Sequence, residues 1–267
     1  SLYYGLLVMV IGERLLTAAR MEKEELKSMS LGDHLEELRA RLILAILGLL
    51  AGLILALFFG HSFLHLLMIP FEQAMVHADL EPNLQAIKVA EPFLVYLKAS
   101  FVLAILITSP WIFYQLWTFI SAGLYRHERR YVYAVVPVSA GLFIGGALFF
   151  LFIAAPLALN FFVQFNVGVD YIKYQPSLSD YVSFILLLSI VFGLGFQSPI
   201  AIVFAERMGL VDVSTLQRIR KYVLLAVFVI AAVATPPDVI TQIALAVPLY
   251  ILYEASILVC RFWAKKS

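Results

Sequence analysis

Six stretches of this chain are apolar over enough consecutive residues to suggest membrane helices, and short polar or proline-bearing segments separate them. A helical span needs about 20 largely apolar residues to match a hydrocarbon core of roughly 30 Å. Leu42 to Gly60 is the first such stretch. Ala99 to Ala122 is the second, entered after Lys98, whose apolar stem lets its ammonium snorkel to the interface. The third runs from Tyr131 to about Leu157 and the fourth from Tyr181 to about Ala205. The fifth, Tyr222 to Thr235, and the sixth, Ile243 to Cys260, are shorter and part at a Pro236-Pro237-Asp238 turn. Short spans imply a thinned bilayer or shielding by neighbouring helices. Ahead of the first span, Leu31, Leu35, Leu38 and Leu42 recur at helical spacing, and Ser30 can cap that helix with Asp33 three residues on. The pattern predicts an all-α membrane protein with six transmembrane helices, led in by an amphipathic surface helix.

Composition agrees with that class. Of 267 residues, 63% are hydrophobic and 14% charged, against roughly 25% charged in a soluble domain. Cys260 is the single cysteine, so no intramolecular disulfide forms and the redox compartment stays open. The net charge of +1 says little, but its distribution says more. Arg39, Arg41, Arg126, Arg129, Arg130, Arg207, Arg218, Arg220, Lys221, Arg261, Lys265 and Lys266 fall on one side of the predicted topology. The opposite loops, His61 to Pro92 and Asn160 to Asp180, hold only Lys88 and Lys173. Cytoplasmic loops carry the excess of Lys and Arg, so the lead-in to the first span and the C-terminus are expected in the cytoplasm.

The first translocated loop contains Pro70, Pro82 and Pro92 among short apolar runs, which predicts interfacial helices broken by prolines. Pro176 interrupts the second loop, and together the two are expected to cap the outer ends of the spans. Residues 1–28 fit poorly with the rest of the chain. Leu2 to Ile11 is too short to span, and the segment after it is charged. Met29 is a candidate start, giving an N-terminal extension at 1–28 whose origin is open and a membrane domain at 29–267.

Candidate chemistry sits on the basic side. The run Leu124-Tyr125-Arg126-His127-Glu128-Arg129-Arg130 places one carboxylate among three arginines, and Asp33, Glu36 and Glu37 lie in the early turns of the lead-in helix. Acids there suit the helix dipole, and an ordinary lead-in needs nothing more. Two carboxylates at one interface, however, match a pair of guanidinium groups, because Arg and carboxylate pair as planar forks. An internal salt bridge from Glu128 to Arg126, Arg129 or Arg130 is the competing reading.

Several motifs in register resemble one family. His34-Leu35-Glu36-Glu37-Leu38-Arg39-Ala40-Arg41-Leu42, Ser109-Pro110 with Tyr114-Gln115-Leu116-Trp117-Thr118-Phe119-Ile120, the Leu124 to Arg130 run, and Thr235-Pro236-Pro237-Asp238 with Gln242 resemble TatC, the large multispanning subunit of the twin-arginine protein translocase. The likeness covers about residue 30 to the end. It implies a glove-shaped bundle of six helices in the cytoplasmic (inner) membrane, with the ends of the core cytoplasmic and with no cofactor, metal or nucleic acid. It implies a receptor for the twin-arginine signal peptides of folded cargo, with Glu37, Glu128, Arg39 and Phe119 at the recognition site. Thr235 and Gln242, with Gln197, would dock small single-span subunits of the TatA/TatB type, and Pro70 and Asp238 would serve in loops. Self-association in a multimeric receptor complex and use of the proton-motive force are implied by the same resemblance.

Gln197 departs from the pattern. Many relatives carry a membrane-embedded glutamate there, and an amide forms hydrogen bonds but does not titrate. A glutamine bonded to a neighbouring helix beside the Pro199 kink is an equal reading. His61 and His65 share a helix face without a third ligand, Glu254 reads as structural, and Gly141, Gly145 and Gly146 suggest close helix packing. A secondary transporter or channel for a small solute is the alternative function, with Gln197 beside Pro199 as its mid-membrane polar group. The sequence contains no HExxH, GxSxG or phosphate-binding glycine loop, so an intramembrane enzyme is disfavoured.

Overall fold

The computed structural model describes residues 31–122, 130–167, 174–234 and 239–264. The expectations for residues 1–28, Glu128, Thr235 and Asp238 lie outside the described residues. Helix α1 is Leu31–His77 and α2 is Glu91–Ala122. The third unit is α3, Arg130–Phe149, running through a π-helical turn at Phe150–Ala154 into α4, Ala155–Val167. The fourth is α5, Leu178–Gly195, succeeded after a break by α6, Ser198–Arg207. Helices α7, Val213–Ala234, and α8, Val239–Ala264, complete six membrane-helix units. No strand occurs among the described residues, and a lone bridge pairs Gln85 with Ser177.

Five of the six units are long and apolar enough to cross a membrane. The exception is α7, whose early turns carry Arg218, Arg220 and Lys221 and leave a short apolar remainder. The apolar stretch of α8, Thr241–Phe262, is the shortest of the five at 22 residues. The fifth and sixth helices are thus the short pair that the hydrophobic pattern predicts.

The expected proline-broken helices of the first loop do not form. The chain instead stays helical from Leu31 through Pro70 to His77, leaving a loop of residues 78–90 only, and Pro92 sits in the first turn of α2. A proline inside a helix removes one backbone bond, but within a bundle neighbouring groups restore the lost contacts. Pro70 is buried, the Tyr181 hydroxyl of α5 donates to the Leu67 carbonyl at 2.5 Å, and the Tyr181 ring packs on Phe71 at 5.1 Å. Tertiary packing therefore overrides the breaker. At the end of α1, Asp79 takes a left-handed φ of 57° while Leu80 N–H bonds back to Met75 C=O, a Schellman closure built on a non-glycine residue. Gly209, at φ 68°, closes α6 in the same way through Leu210 N–H to Ala205 C=O.

Helices α1 and α2 form an antiparallel hairpin held by small residues. Gly48, Gly52, Ala56 and Gly60 recur every fourth residue on one face of α1, and each glycine lies where a Cβ would collide with α2. A Cβ on Gly48 would stand 2.3 Å from Trp111, one on Gly52 2.1 Å from Thr108, and one on Gly60 2.5 Å from Ser100. In lipid the tails are as apolar as Leu, so helices gain from close packing rather than from leaving water. The Trp111 indole N–H donates to Leu44 C=O at 2.9 Å, and Tyr96 O–H to Leu57 C=O, fixing the register. Gly146 meets Phe192 and Gly193 of α5 equally closely, whereas Gly141 and Gly145 face open space, which corrects the expectation for those two.

The largest core lies toward the end of the bundle that holds loop 78–90. Phe71, Met75, Val95, Phe150, Val163, Val182, Ile185 and Phe192 pack there from α1, α2, the π turn, α4 and α5. A smaller cluster of Phe113, Trp117, Ala140 and Phe143 joins α2 to α3, and Leu216, Tyr253 and Ile257 join α7 to α8. The opposite end, the basic end, gathers the start of α1, the end of α2, Arg207, the start of α7 and the end of α8.

Candidate functional site

The hairpin brings the lead-in motif and the Tyr114 to Ile120 motif together at the basic end. Arg41, one turn after Glu37, donates through Nη2 to Glu37 Oε1 at 3.4 Å and through Nη1 to Gln115 Oε1 of α2 at 3.4 Å. The second carboxylate oxygen of Glu37, Oε2, is shielded from solvent and has no hydrogen-bond partner among the described residues. Both Arg41 contacts are long, since charge-assisted N–H to O bonds usually measure about 2.7–2.9 Å. One turn toward the N-terminus, the His34 ring stacks on Phe119 with centroids 4.6 Å apart. Glu37 and Phe119 thus lie in neighbouring contacts across the same helix pair. Arg39 is exposed and makes no ion pair among the described residues; the arginine that meets Glu37 is Arg41.

Gln197 occupies the break between α5 and α6, where its amide Nε2 donates to Ser139 C=O of α3 at 2.9 Å. Ser139 Oγ in turn accepts from the Trp117 indole N–H of α2 at 2.9 Å. The glutamine is therefore one member of a three-helix polar node, which matches the helix-bonding reading of that residue. Gln242 of α8 donates through Nε2 to Phe228 C=O of α7 at 3.0 Å, tying the two short helices together.

Glu91 is not singled out by the sequence, although it organises the other end of the bundle. Its side chain is buried, with Oε2 accepting from Ile87 N–H at 2.7 Å and Lys88 N–H at 3.0 Å. Oε1 accepts from Ser177 Oγ–H at 2.9 Å and Ser179 N–H at 2.8 Å. One carboxylate thus joins the first loop to the start of α5. The only signal in the sequence is an acid in the first turn of a helix, which is too common to mark it.

Arg220 and Glu254 form a pair at 2.7 Å, and Tyr250 O–H donates to the same carboxylate at 3.0 Å. Glu254 thereby ties α8 to Arg220 of the neighbouring α7. His61 packs its ring against Tyr96 at 4.8 Å, and no cluster of three or more metal-ligating side chains occurs among the described residues.

Known proteins are similar to this chain in sequence and in fold. Residues 33–248 match the family described as Sec-independent protein translocase protein (TatC). The chain is 39% identical over 247 residues to the Sec-independent protein translocase protein TatC of Desulforapulum autotrophicum, covering 92% of this chain and 89% of that one. It is 34% identical over 234 residues to the protein of that name from Escherichia coli K12, covering 88% and 89%. A crystal structure of a twin-arginine translocase receptor, TatC, in DDM superposes with a TM-score of 0.77 at 36% identity, covering 85% of this chain and 98% of that one.

Proposed function

The chain belongs to the TatC family and is a multi-pass membrane protein, a core subunit of the twin-arginine translocase rather than an enzyme; from that premise we propose that its basic end is a cytoplasmic receptor for twin-arginine signal peptides. The observation that carries this reading is the Glu37 carboxylate, whose Oε2 is buried without a partner among the described residues. An unsatisfied buried acceptor costs about 1–3 kcal/mol, more when charged, and a guanidinium donor from a ligand would relieve that cost. A guanidinium that displaces the long Arg41 contact supplies a planar pair of donors to both oxygens, which an ammonium does not, so the carboxylate favours arginine over lysine. Glu128 is the second acid of this reading; Arg39 is exposed, and Phe119 stacks on His34 one turn from Glu37.

In this orientation loop 78–90 and the start of α5 face the far side of the inner membrane, in keeping with the bias of Lys and Arg. The edge formed by α7 and α8 around Thr235 and Gln242 is the docking place for small single-span subunits of the TatA/TatB type. Its outer positions Leu225, Val229, Ile230 and Val233 are exposed. Gln197, bonded to Ser139 C=O inside the bundle, acts on docking through helix geometry and not by exchanging protons.

The test is binding of a fluorescent twin-arginine signal peptide to the purified protein in detergent, beside a twin-lysine peptide. Preference for arginine that disappears in Glu37→Gln or Glu128→Gln supports the reading. Equal affinity for both peptides in the unaltered protein removes it.

A further inference from the structure

We propose that Gln115 is a positioning residue that keeps the Glu37 carboxylate half open by holding Arg41 away from its second oxygen. The inference rests on the receptor reading given above and concerns how that site selects its ligand.

Arg41 is four residues from Glu37 on one helix face, the spacing at which an arginine and a carboxylate ordinarily pair. A guanidinium so placed can form a two-pronged fork with both oxygens, and that fork is the strongest arrangement the pair can adopt. It is not the one present. Nη2 reaches Oε1 at 3.4 Å, and Nη1 turns to Gln115 Oε1 at 3.4 Å, leaving Oε2 without a donor among the described residues. Gln115 is 2% exposed, so its amide is fixed by the packing of α2 and is not a rotor in solvent. The glutamine carbonyl therefore competes with Glu37 Oε2 for one prong of Arg41.

This arrangement has two effects. Arg41 offsets the charge of the carboxylate in the peptide-free protein without sealing it. Both of its contacts are long enough to give way when a second guanidinium arrives at Oε2. The chain thus carries an internal arginine that would occlude its own receptor site if the neighbour at 115 lacked a carbonyl.

Peptide affinity by fluorescence anisotropy, in detergent, tests this. Gln115→Met preserves length and removes the acceptor; it is expected to weaken twin-arginine peptide binding roughly tenfold, the worth of one charge-assisted hydrogen bond. Adding Arg41→Gln to that variant removes the occluding cation and restores most of the affinity. A Gln115→Met protein that is folded and binds like the unaltered protein overturns the proposal, as does a double variant no better than Gln115→Met. Should Gln115→Met not fold, Gln115→Leu takes its place, removing the same acceptor at similar volume: a loss of about tenfold supports the proposal, and binding within about threefold of the unaltered protein overturns it. Glu37→Gln separates this from the parent reading. If Glu37→Gln binds normally, the receptor reading itself fails; if it loses binding while Gln115→Met does not, only the role of Gln115 falls.

Discussion

Replacing Gly52 by alanine tests whether the α1 to α2 contact is set by the absence of a single methyl group. The new Cβ would sit 2.1 Å from Thr108 Cγ2, about 1.3 Å short of the 3.4 Å at which ordinary contact begins. Two responses are open to the hairpin. The helices can move apart, which loosens the contacts at Gly48, Ala56 and Gly60 on the same face; overpacking of this kind costs about 1–3 kcal/mol. Otherwise Thr108 rotates, which breaks the bond its Oγ1 donates to Ala104 C=O at 2.7 Å and adds about 0.5–1.5 kcal/mol. The two responses are alternatives, so the expected destabilisation is about 0.5–3 kcal/mol according to which is taken. Thr108→Ala removes the colliding methyl and should lower that figure when combined with Gly52→Ala, giving a coupling of about 1–2 kcal/mol in a double-mutant cycle. Unfolding by SDS titration from mixed micelles, monitored by the fluorescence of Trp111 and Trp117, measures all four corners. Additive single effects, or a Gly52→Ala protein as stable as its parent, would refute the argument that this close approach holds the hairpin.

The loop end of the bundle yields two further expected outcomes. Glu91→Ala deprives Ile87, Lys88 and Ser179 N–H of their acceptor, so amide exchange at these three positions should accelerate at least about tenfold, read by hydrogen-exchange mass spectrometry, while exchange within α7 stays unchanged. Asp79→Gly relieves a left-handed backbone at φ 57° and should stabilise the protein by up to about 1 kcal/mol in the same SDS titration, since glycine adopts that region freely.

The hydrophobic pattern was sufficient for the number of helices and for their approximate centres, because lipid demands long apolar runs whatever surrounds them. It misplaced the ends. His61 to His77 reads as loop because it holds polar residues and Pro70, yet α1 continues through it, since a proline in a helix wall is tolerated once Tyr181 and Phe71 pack around it. Glycine spacing is similarly divided. Gly141, Gly145 and Gly146 look alike in the chain, but only Gly146 of the three faces another helix, and rotation about the helix axis is not written in a run that is apolar all round.

The candidate site divides in the same way. The family resemblance of two local, ordered motifs was enough to point to Glu37 and Phe119, and the helix pair brings those two motifs to one end of the bundle. The sequence did not reveal that Arg41 and not Arg39 meets Glu37, that Gln115 takes one prong of that arginine, or that Glu91 gathers four donors from two distant segments. Hydropathy, charge bias and motif order are properties of each segment and survive without knowledge of its neighbours. Which side chain faces which across a helix pair depends on register and rotation, and the packing of glycines against Trp111, Thr108 and Ser100 decides those only when the helices come together.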